Sequence, residues 1–520
     1  VAESSGRLSR RVFVGLPALA AAACSGPKSS SSPSGTPSGS FTASGSQNRS
    51  VDWVVAENAR PGADWRRPAA AMARDEELCG YPRRIVLSAG EPLELAVRST
   101  IGAWTATVLR VGHYGGKGAR EVHRTASTPA RPKPQPRIDP ATHCVTAGWE
   151  ADVSVPTDGW PAGAYLVVLE AQKRWRYTTF VIRSEATTDR LALVVATSTW
   201  AAYNTWGGYS LYKGPTPNDP RAYRVSHDRP QESNGAPKLL SFEAATIRLA
   251  ESLGLPVAYV TSYDLEDPAR VRGATGIVSL GHDEYWSRAM RDNVTTARDA
   301  GTNLAFLGAN ACYWRIRHED DGQSVVCYKV DDRLDPVRGR ERTSLWRAGQ
   351  QPEPENSLTG MLYECFPAHG DLAVRRPDSW LLDGTGVQAA DRLPGIVGTE
   401  VDRAYPIPGT PASLEVVAHS PVEGRPGVRT HSDFTYYRAD SGAGVVAVGT
   451  MQWTWALLGV NKRLGTNAAS VAFVERVTTN LLRGVATRRL GDVHPPRPDL
   501  ASLGASPDTR TGTGGAVGAR

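Results

Sequence analysis

Cysteine is scarce in this chain: 520 residues carry six. Cys24 closes an apolar leader, and the remaining Cys79, Cys144, Cys312, Cys327 and Cys365 are odd in number, so a fully paired disulfide framework is excluded. The pairs Cys79 with Cys144 and Cys312 with Cys327 are expected, since each falls within one predicted domain. No Gly-x-Cys-Gly elbow surrounds Cys365, which is expected to pack rather than to attack a substrate. No run of about 20 apolar residues follows the leader, which excludes a membrane-spanning helix from the body of the chain. Charge of one sign is not concentrated either. The formal net charge of +6 includes three leader arginines, and basic residues are interleaved with acidic ones, so nucleic acid is not an expected partner.

The first residues read as an address. Ser9-Arg10-Arg11-Val12-Phe13-Val14 is a paired-arginine region, and Val12 to Ala23 is apolar but too short to span a bilayer, the pattern of a twin-arginine export signal over residues 1–24. Ala21-Ala22-Ala23-Cys24 is similar to a lipobox, with alanine where leucine is usual; simple cleavage after Ala-x-Ala is the alternative. The expected location is therefore extracytoplasmic, with the membrane touched only through a lipid anchor. A Ser/Gly/Pro-rich linker follows over residues 25–50, and residues 490–520 are expected to form a disordered tail.

Between them two rhythms divide the chain. Over residues 51–187 apolar residues alternate with period two, as in Ile85 and Leu87, Leu93, Leu95 and Val97, Trp104, Ala106 and Val108, and Tyr165, Val167 and Leu169. Turn signals such as Ala89-Gly90-Glu91-Pro92 separate them, which predicts an antiparallel β-sandwich. Over residues 188–489 strands and helices alternate. Leu191 to Ala196, Val257 to Val260, Ile277 to Leu280, Asn303 to Leu307 and Val445 to Val448 read as buried strands; Phe242 to Leu253, Ser287 to Ala300 and Asn467 to Leu482 read as helices, the first two stopped by Gly254 and Gly301. This predicts a mainly parallel α/β sheet with helices on both faces.

The chemistry gathers where those strands end. Ile277 to Leu280 runs into Gly281-His282-Asp283-Glu284-Tyr285-Trp286, although Asp283 could equally cap the next helix. Leu191 to Ala196 runs into a loop holding Trp200, Tyr203, Asn204, Trp206 and Tyr209, and Asn303 to Leu307 runs into Gly308-Ala309-Asn310-Ala311-Cys312-Tyr313-Trp314. If the three strands are neighbours, Tyr203, His282, Glu284 and Asn310 share one rim.

These strings, together with Arg110-Val111-Gly112-His113-Tyr114-Gly115-Gly116 in the sandwich, resemble the family of the N,N-dimethylformamidase large (beta) subunit, over roughly residues 51–489. The resemblance implies an immunoglobulin-like domain followed by a glutamine-amidotransferase-like (flavodoxin-like) α/β domain, and hydrolysis of an amide by one iron held by two tyrosines and a glutamate. Residue by residue it implies Tyr203 and Tyr165 as the phenolates, Glu284 as the carboxylate, His282 as the active-site histidine and Asn310 as the residue that orients the substrate. The donor set is chemically coherent, because phenolate and carboxylate are hard oxygen donors that suit ferric iron better than zinc or copper. Such an ion polarises a carbonyl and acidifies bound water. His282 would then carry a proton to the leaving amine, and Asn310 would hold the oxyanion, a donor role typically contributing ~3 kcal/mol. Asp433 is a further candidate acid at the rim.

The expected function is that of an exported, iron-dependent amidohydrolase whose substrate is a small amide or an envelope-derived one, with a homo-oligomer or a small partner subunit as possible company. The export leader departs from the family's cytoplasmic enzyme, and the aromatics Trp200, Trp206, Tyr209 and Tyr313 would suit a sugar as well as an amide. The alternatives are a metal-independent hydrolase using His282 and Glu284, and a non-catalytic envelope protein that binds a glycan or another protein.

Overall fold

A computed structural model describes residues 52–348, 351–425 and 427–503. The expected signal (1–24), the linker (25–50) and the tail beyond residue 503 lie outside the described residues. Within them no helix is long and apolar enough to cross a membrane.

The first half is two stacked sheets. Strands β1 (Leu78–Pro82) and β2 (Leu93–Ser99) join Val153–Val155 in one; β3 (Thr105–Val111), β4 (Ala119–Arg124), β5 (Gly163–Ala171) and β6 (Arg174–Ile182) join Val86–Leu87 in the other. Alternation along β5 decides what each side chain meets. Tyr165, Val167 and Leu169 enter the sandwich interior with Leu93, Leu95, Trp104 and Phe180. Ala164, Leu166 and Val168 point the other way, into a core that also contains residues of the second half. Both faces of β5 are therefore buried, and the two halves share one hydrophobic core.

An ion pair locks the same junction. The guanidinium of Arg110 on β3 donates to the carboxylate of Glu251 at 3.1 Å, and neither side chain is exposed at all. Tyr259 donates a further hydrogen bond to Glu251 at 2.7 Å.

The second half is built on β7 (Leu191–Val195), α1 (Thr197–Tyr203), α2 (Ala244–Ser252), β8 (Val257–Thr261), β9 (Gly276–Ser279), β10 (Tyr285–Ser287), α3 (Arg288–Asp299), β11 (Asn303–Phe306), β12 (Trp314–Glu319), β13 (Leu362–Ala373), β14 (Arg392–Arg403), β15 (Glu415–Glu423), β16 (Arg429–Arg438), β17 (Gly444–Ala447) and α4 (Ala468–Val485). Nine of these strands form one sheet in the order β8-β7-β9-β11-β17-β16-β15-β13-β14. From β8 to β17 every pairing is parallel. From β17 to β14 every pairing is antiparallel, which corrects the expectation of a mainly parallel sheet. The chain is thus mixed α/β and rich in strands.

The parallel strands are apolar on both faces, as continuous burial requires. Leu191, Leu193 and Val195 meet Ile247 and Ala250 of α2 and Phe473, Val477 and Leu481 of α4. Ala192 and Val194 meet Met290, Val294 and Ala297 of α3. Gly254, at φ +65°, terminates α2 where a side chain would be strained. At the start of α3 the cap is Ser287, whose hydroxyl accepts the Met290 N–H, and not Asp283.

Two further expectations change. Residues 490–503 are not part of a disordered tail: Leu490 is fully buried, Tyr436 donates to the His494 carbonyl at 2.8 Å, and Asp499 accepts the Val416 N–H. The five described cysteines are all unpaired. Cys312 lies in the core between the sheet and α3, beside the Arg291 guanidinium, whereas Cys327 belongs to a separate cluster with Tyr285 and Trp314. Cys79 and Cys144 are likewise buried thiols, each raised by burial to about 11.

Candidate active site

Strands β7 and β9 are neighbours, but the chain leaves them in opposite directions, to β8 on one side and to β11 on the other. In parallel sheets the crevice beyond the carboxyl ends at such a switch point is where ligands bind. Here α1 follows β7 and presents Tyr203 at its end, the same loop continues to Tyr212, and the turn after β9 carries His282 and Glu284. The loop after β11 is drawn in closely: a Cβ on Gly308 would strike the Gly281 carbonyl, and one on Gly281 would press on the Phe242 carbonyl, so both positions favour glycine.

Backbone hydrogen bonds fix Glu284 from two sides. Its N–H donates to Thr199 Oγ1 at 3.2 Å, and its carbonyl accepts the N–H groups of Tyr313 and Trp314 at 3.0 and 2.9 Å. Three side chains converge on its carboxylate. Tyr203 Oη donates to Oε2 at 2.8 Å, Tyr212 Oη donates to Oε1 and Oε2 at 2.6 and 2.8 Å, and His282 Nε2 lies 3.2 Å from Oε2. The two tyrosine rings are 4.5 Å apart, centroid to centroid. A second carboxylate, Glu400 on β14, stands 4.0 Å from His282 Nε2.

Burial sorts these groups electrically. It would raise the Glu284 carboxyl, but the hydrogen bond and charge of His282, with Lys329 and Tyr212, outweigh it and keep Glu284 ionised. Glu400 is driven well above the usual carboxylate range by its own burial and by the charge on Glu284, with the Asn310 side chain pulling the other way, so it holds a proton. Burial lowers the His282 imidazole, opposed by its hydrogen bond to Glu284 and by that carboxylate's charge. Burial and the facing carboxylate keep both phenols well above their ordinary range. Lys329, only 1% exposed, sets its ammonium 3.2 Å from the centroid of the Tyr212 ring.

Of the residues read from the sequence, Tyr203, His282 and Glu284 are in direct contact. Asn310 sits beside them on left-handed backbone (φ +60°), its N–H held by Asp402 at 2.8 Å and its Oδ1 buried without a partner. Tyr165 is not brought to the cluster. It faces into the sandwich, stacks on Phe180 at 4.8 Å and donates to the Pro161 carbonyl. The alternation of β5 that places it there also turns it away from the second half, and Tyr212 occupies the place expected for it.

Asp433 is taken up by His419 at 2.6 Å and the Ala404 N–H at 2.8 Å and does not touch the cluster. The expected aromatic rim is largely interior. Trp200 donates to Glu243, Trp206 packs edge-on against Trp149, and Tyr209 stacks on His143. Sequence reading missed Tyr212, Glu400 and Lys329. Only Tyr212 left a signal, as a second tyrosine in the same loop as Tyr203; Glu400 comes from the antiparallel half, whose position no local pattern reveals.

A second constellation, Ser198 with His318 at 2.7 Å and His318 with Glu266 at 2.6 Å, has the connectivity of a hydrolytic triad. Ser198 is fully buried and its N–H, the nearest oxyanion donor, is spent on Ser262 Oγ at 3.3 Å. The relay ties the start of α1 to β12 and is structural.

Over residues 105–466 the chain matches the family described as N,N-dimethylformamidase beta subunit-like, C-terminal. The chain belongs to this family. The match runs from β3 of the sandwich past β17 and includes every residue of the cluster. No curated protein matches the chain. Membership of the dimethylformamidase-like family implies a hydrolase acting on amide bonds, and the family's name, that of one subunit of an enzyme, makes a partner subunit plausible.

Among the described residues no group of three or more His, Cys, Asp and Glu side chains could hold a metal ion. A metal at the cluster of this dimethylformamidase-like chain would draw on phenol oxygens beside the Glu284 carboxylate. The cluster fits that demand. Its oxygens approach one another at 2.6 and 2.8 Å, spacings that hydrogen bonds share with the edges of a coordination shell whose bonds are about 2.0 Å. Two phenols, once deprotonated, and one carboxylate would be a hard, anionic donor set, suited to ferric iron.

Proposed function

We propose that this chain is a dimethylformamidase-like amidohydrolase in which Tyr203, Tyr212 and Glu284 hold one ferric ion. The observation that carries the reading is the convergence of both phenol oxygens on the Glu284 carboxylate. Bound there, the ion would supply Lewis acidity and an acidified water. The remaining steps belong to the protein. His282, 3.2 Å from Glu284, accepts the proton of the attacking water and returns it to the amine nitrogen as the C–N bond breaks. Glu400, 4.0 Å from His282 Nε2, borders this proton path, and the transfer through His282 leaves no net proton gained or lost. Asn310, whose side chain reaches Glu400, would turn its Nδ2 N–H to the carbonyl oxygen as that oxygen gains charge. The products are a carboxylic acid and an amine, so that amide and water balance.

The strand order around β7, the one found in flavodoxin-like sheets, supports a glutamine-amidotransferase-like second domain, and the stacked sheets before it support an immunoglobulin-like first domain. Twin-arginine export with lipidation at Cys24 belongs to the same proposal. The test is release of dimethylamine from N,N-dimethylformamide by the iron-loaded chain, with and without a ferric chelator. Release that stops in chelator supports the reading. Release that persists would favour His282 and Glu284 acting alone, and no release with any amide would favour an envelope-binding role.

A further inference from the structure

An amide hydrolase of this kind still has to choose among amides, and beside the cluster stands a lysine that, among the described residues, makes no ion pair. Lys238 opens a single π-helical turn, Leu239–Glu243, that runs straight into α2. Such turns insert an extra residue and are frequent at functional sites. This one is pinned down: one oxygen of the Glu243 carboxyl group accepts the Ala196 N–H at 3.0 Å and the Trp200 indole N–H at 3.1 Å, at the start of α1. The turn thereby delivers two side chains to the wall of the site. Phe242 meets His282 edge to face at 5.5 Å, and the Lys238 ammonium sits 3.8 Å from the centroid of the Tyr203 ring.

Lys238 is half-buried, and among the described residues it forms no ion pair within 4.0 Å and no side-chain hydrogen bond. Contact with a ring face leaves its N–H donors without acceptors. Glu284 does not need it, because that carboxylate already accepts from Tyr203 and Tyr212 and abuts His282. Nor is it required as charge compensation on the buried side, where Lys329 lies under Tyr212.

We propose that Lys238 receives an anionic group of the substrate, so that this site prefers amides bearing a carboxylate close to the scissile bond, as in N-acylated amino acids. The proposal rests on the amide-hydrolase reading. The geometry limits the spacing. An ammonium above the Tyr203 ring is roughly 5 Å from that phenol's oxygen, so a carboxylate bound to it is separated from the reacting carbonyl by about two to four covalent bonds. An α-carboxylate on the amine side satisfies this, whereas a distant acid does not. Phe242 also packs on the half-buried Trp455 at 5.5 Å, continuing the wall as apolar surface for the rest of the substrate.

The probes are N-formylglycine and its neutral counterpart N-formylglycinamide, compared on the iron-loaded full chain by steady-state hydrolysis and by calorimetric binding. KM for the acid is expected to lie about tenfold below that for the neutral amide. Lys238→Gln should erase the difference by raising KM for the acid, Lys238→Arg should keep it, and Lys238→Glu should reverse it. Equal treatment of both probes by the native chain, or an unchanged ratio in Lys238→Gln, overturns the proposal while leaving the amide-hydrolase reading intact. Binding of N-formylglycine without hydrolysis, lost in Lys238→Gln, supports the anion receptor and sinks the hydrolase reading. Neither binding nor hydrolysis of either probe overturns both.

Discussion

Replacing Tyr212 by phenylalanine tests the centre most directly, because Tyr212 and Tyr165 make opposite predictions. Tyr212 Oη donates to both oxygens of Glu284 at 2.6 and 2.8 Å, so its loss removes one of three proposed ligands and leaves the carboxylate less supported. Substitutions that merely touch the outer partners of a metal site typically cost 10- to 100-fold in affinity. Loss of a ligand should therefore weaken iron binding by at least about 100-fold, or ~2.7 kcal/mol. Tyr165→Phe removes a single hydrogen bond to the Pro161 carbonyl and keeps the stack on Phe180, a change of ~0.5–1.5 kcal/mol in stability and none in metal content. The assay is iron per chain by elemental mass spectrometry after dialysis against a competing chelator, read beside the phenolate-to-iron absorption band. Tyr212→Phe should lose both iron and band, and Tyr165→Phe should keep them. An iron-free Tyr165→Phe, or a Tyr212→Phe with unaltered iron and colour, would refute the assignment.

Three other perturbations have defined outcomes. Arg110→Met strands the Glu251 carboxylate at the junction of the two halves and should cost ~3–5 kcal/mol in denaturant unfolding; a loss below ~1 kcal/mol would show that the shared hydrophobic core alone holds them. Burial raises Glu243 to about 8, against an ordinary value near 4.5 in the unfolded chain, so the folded state binds the extra proton and the stability due to this group is full below pH 4.5 and falls as pH rises to about 8. Glu243→Gln, which keeps the acceptor for Ala196 and Trp200, should accordingly match the native chain in Tm at pH 4.5 and exceed it at pH 8.5; equal Tm values at both would contradict the shift. Glu400→Gln should retain iron while kcat falls by about 10²-fold, and full activity would remove Glu400 from the proton path.

Much of the parallel half was legible because each of its signals is local. Four-residue apolar runs gave β9 and β11, Gly254 marked the end of α2, and the cluster His282 to Trp286 stood out at a strand's exit. The antiparallel half was not legible in the same way. Strands β13 and β14 pair through several bulges, which break the period-two alternation that would announce them, and Glu400 was lost with them. The cysteine pairs failed for a related reason: proximity in sequence says nothing about which side of a sheet a thiol occupies.

The amino-acid sequence by itself determined the two rhythms and the family and singled out Tyr203, His282, Glu284 and Asn310 as candidates, since these depend on residue types and spacings within short windows. Which second tyrosine joins Glu284 was a question of direction in space. A one-residue step along β5 sends Tyr165 into the sandwich, while the loop after β7 folds back to bring Tyr212 to the carboxylate, and no local pattern encodes that return. Tertiary structure likewise decided that Glu400 faces His282 and that Lys238 stands over Tyr203, because both contacts join segments that meet only when the sheet and its flanking turns pack around a common crevice.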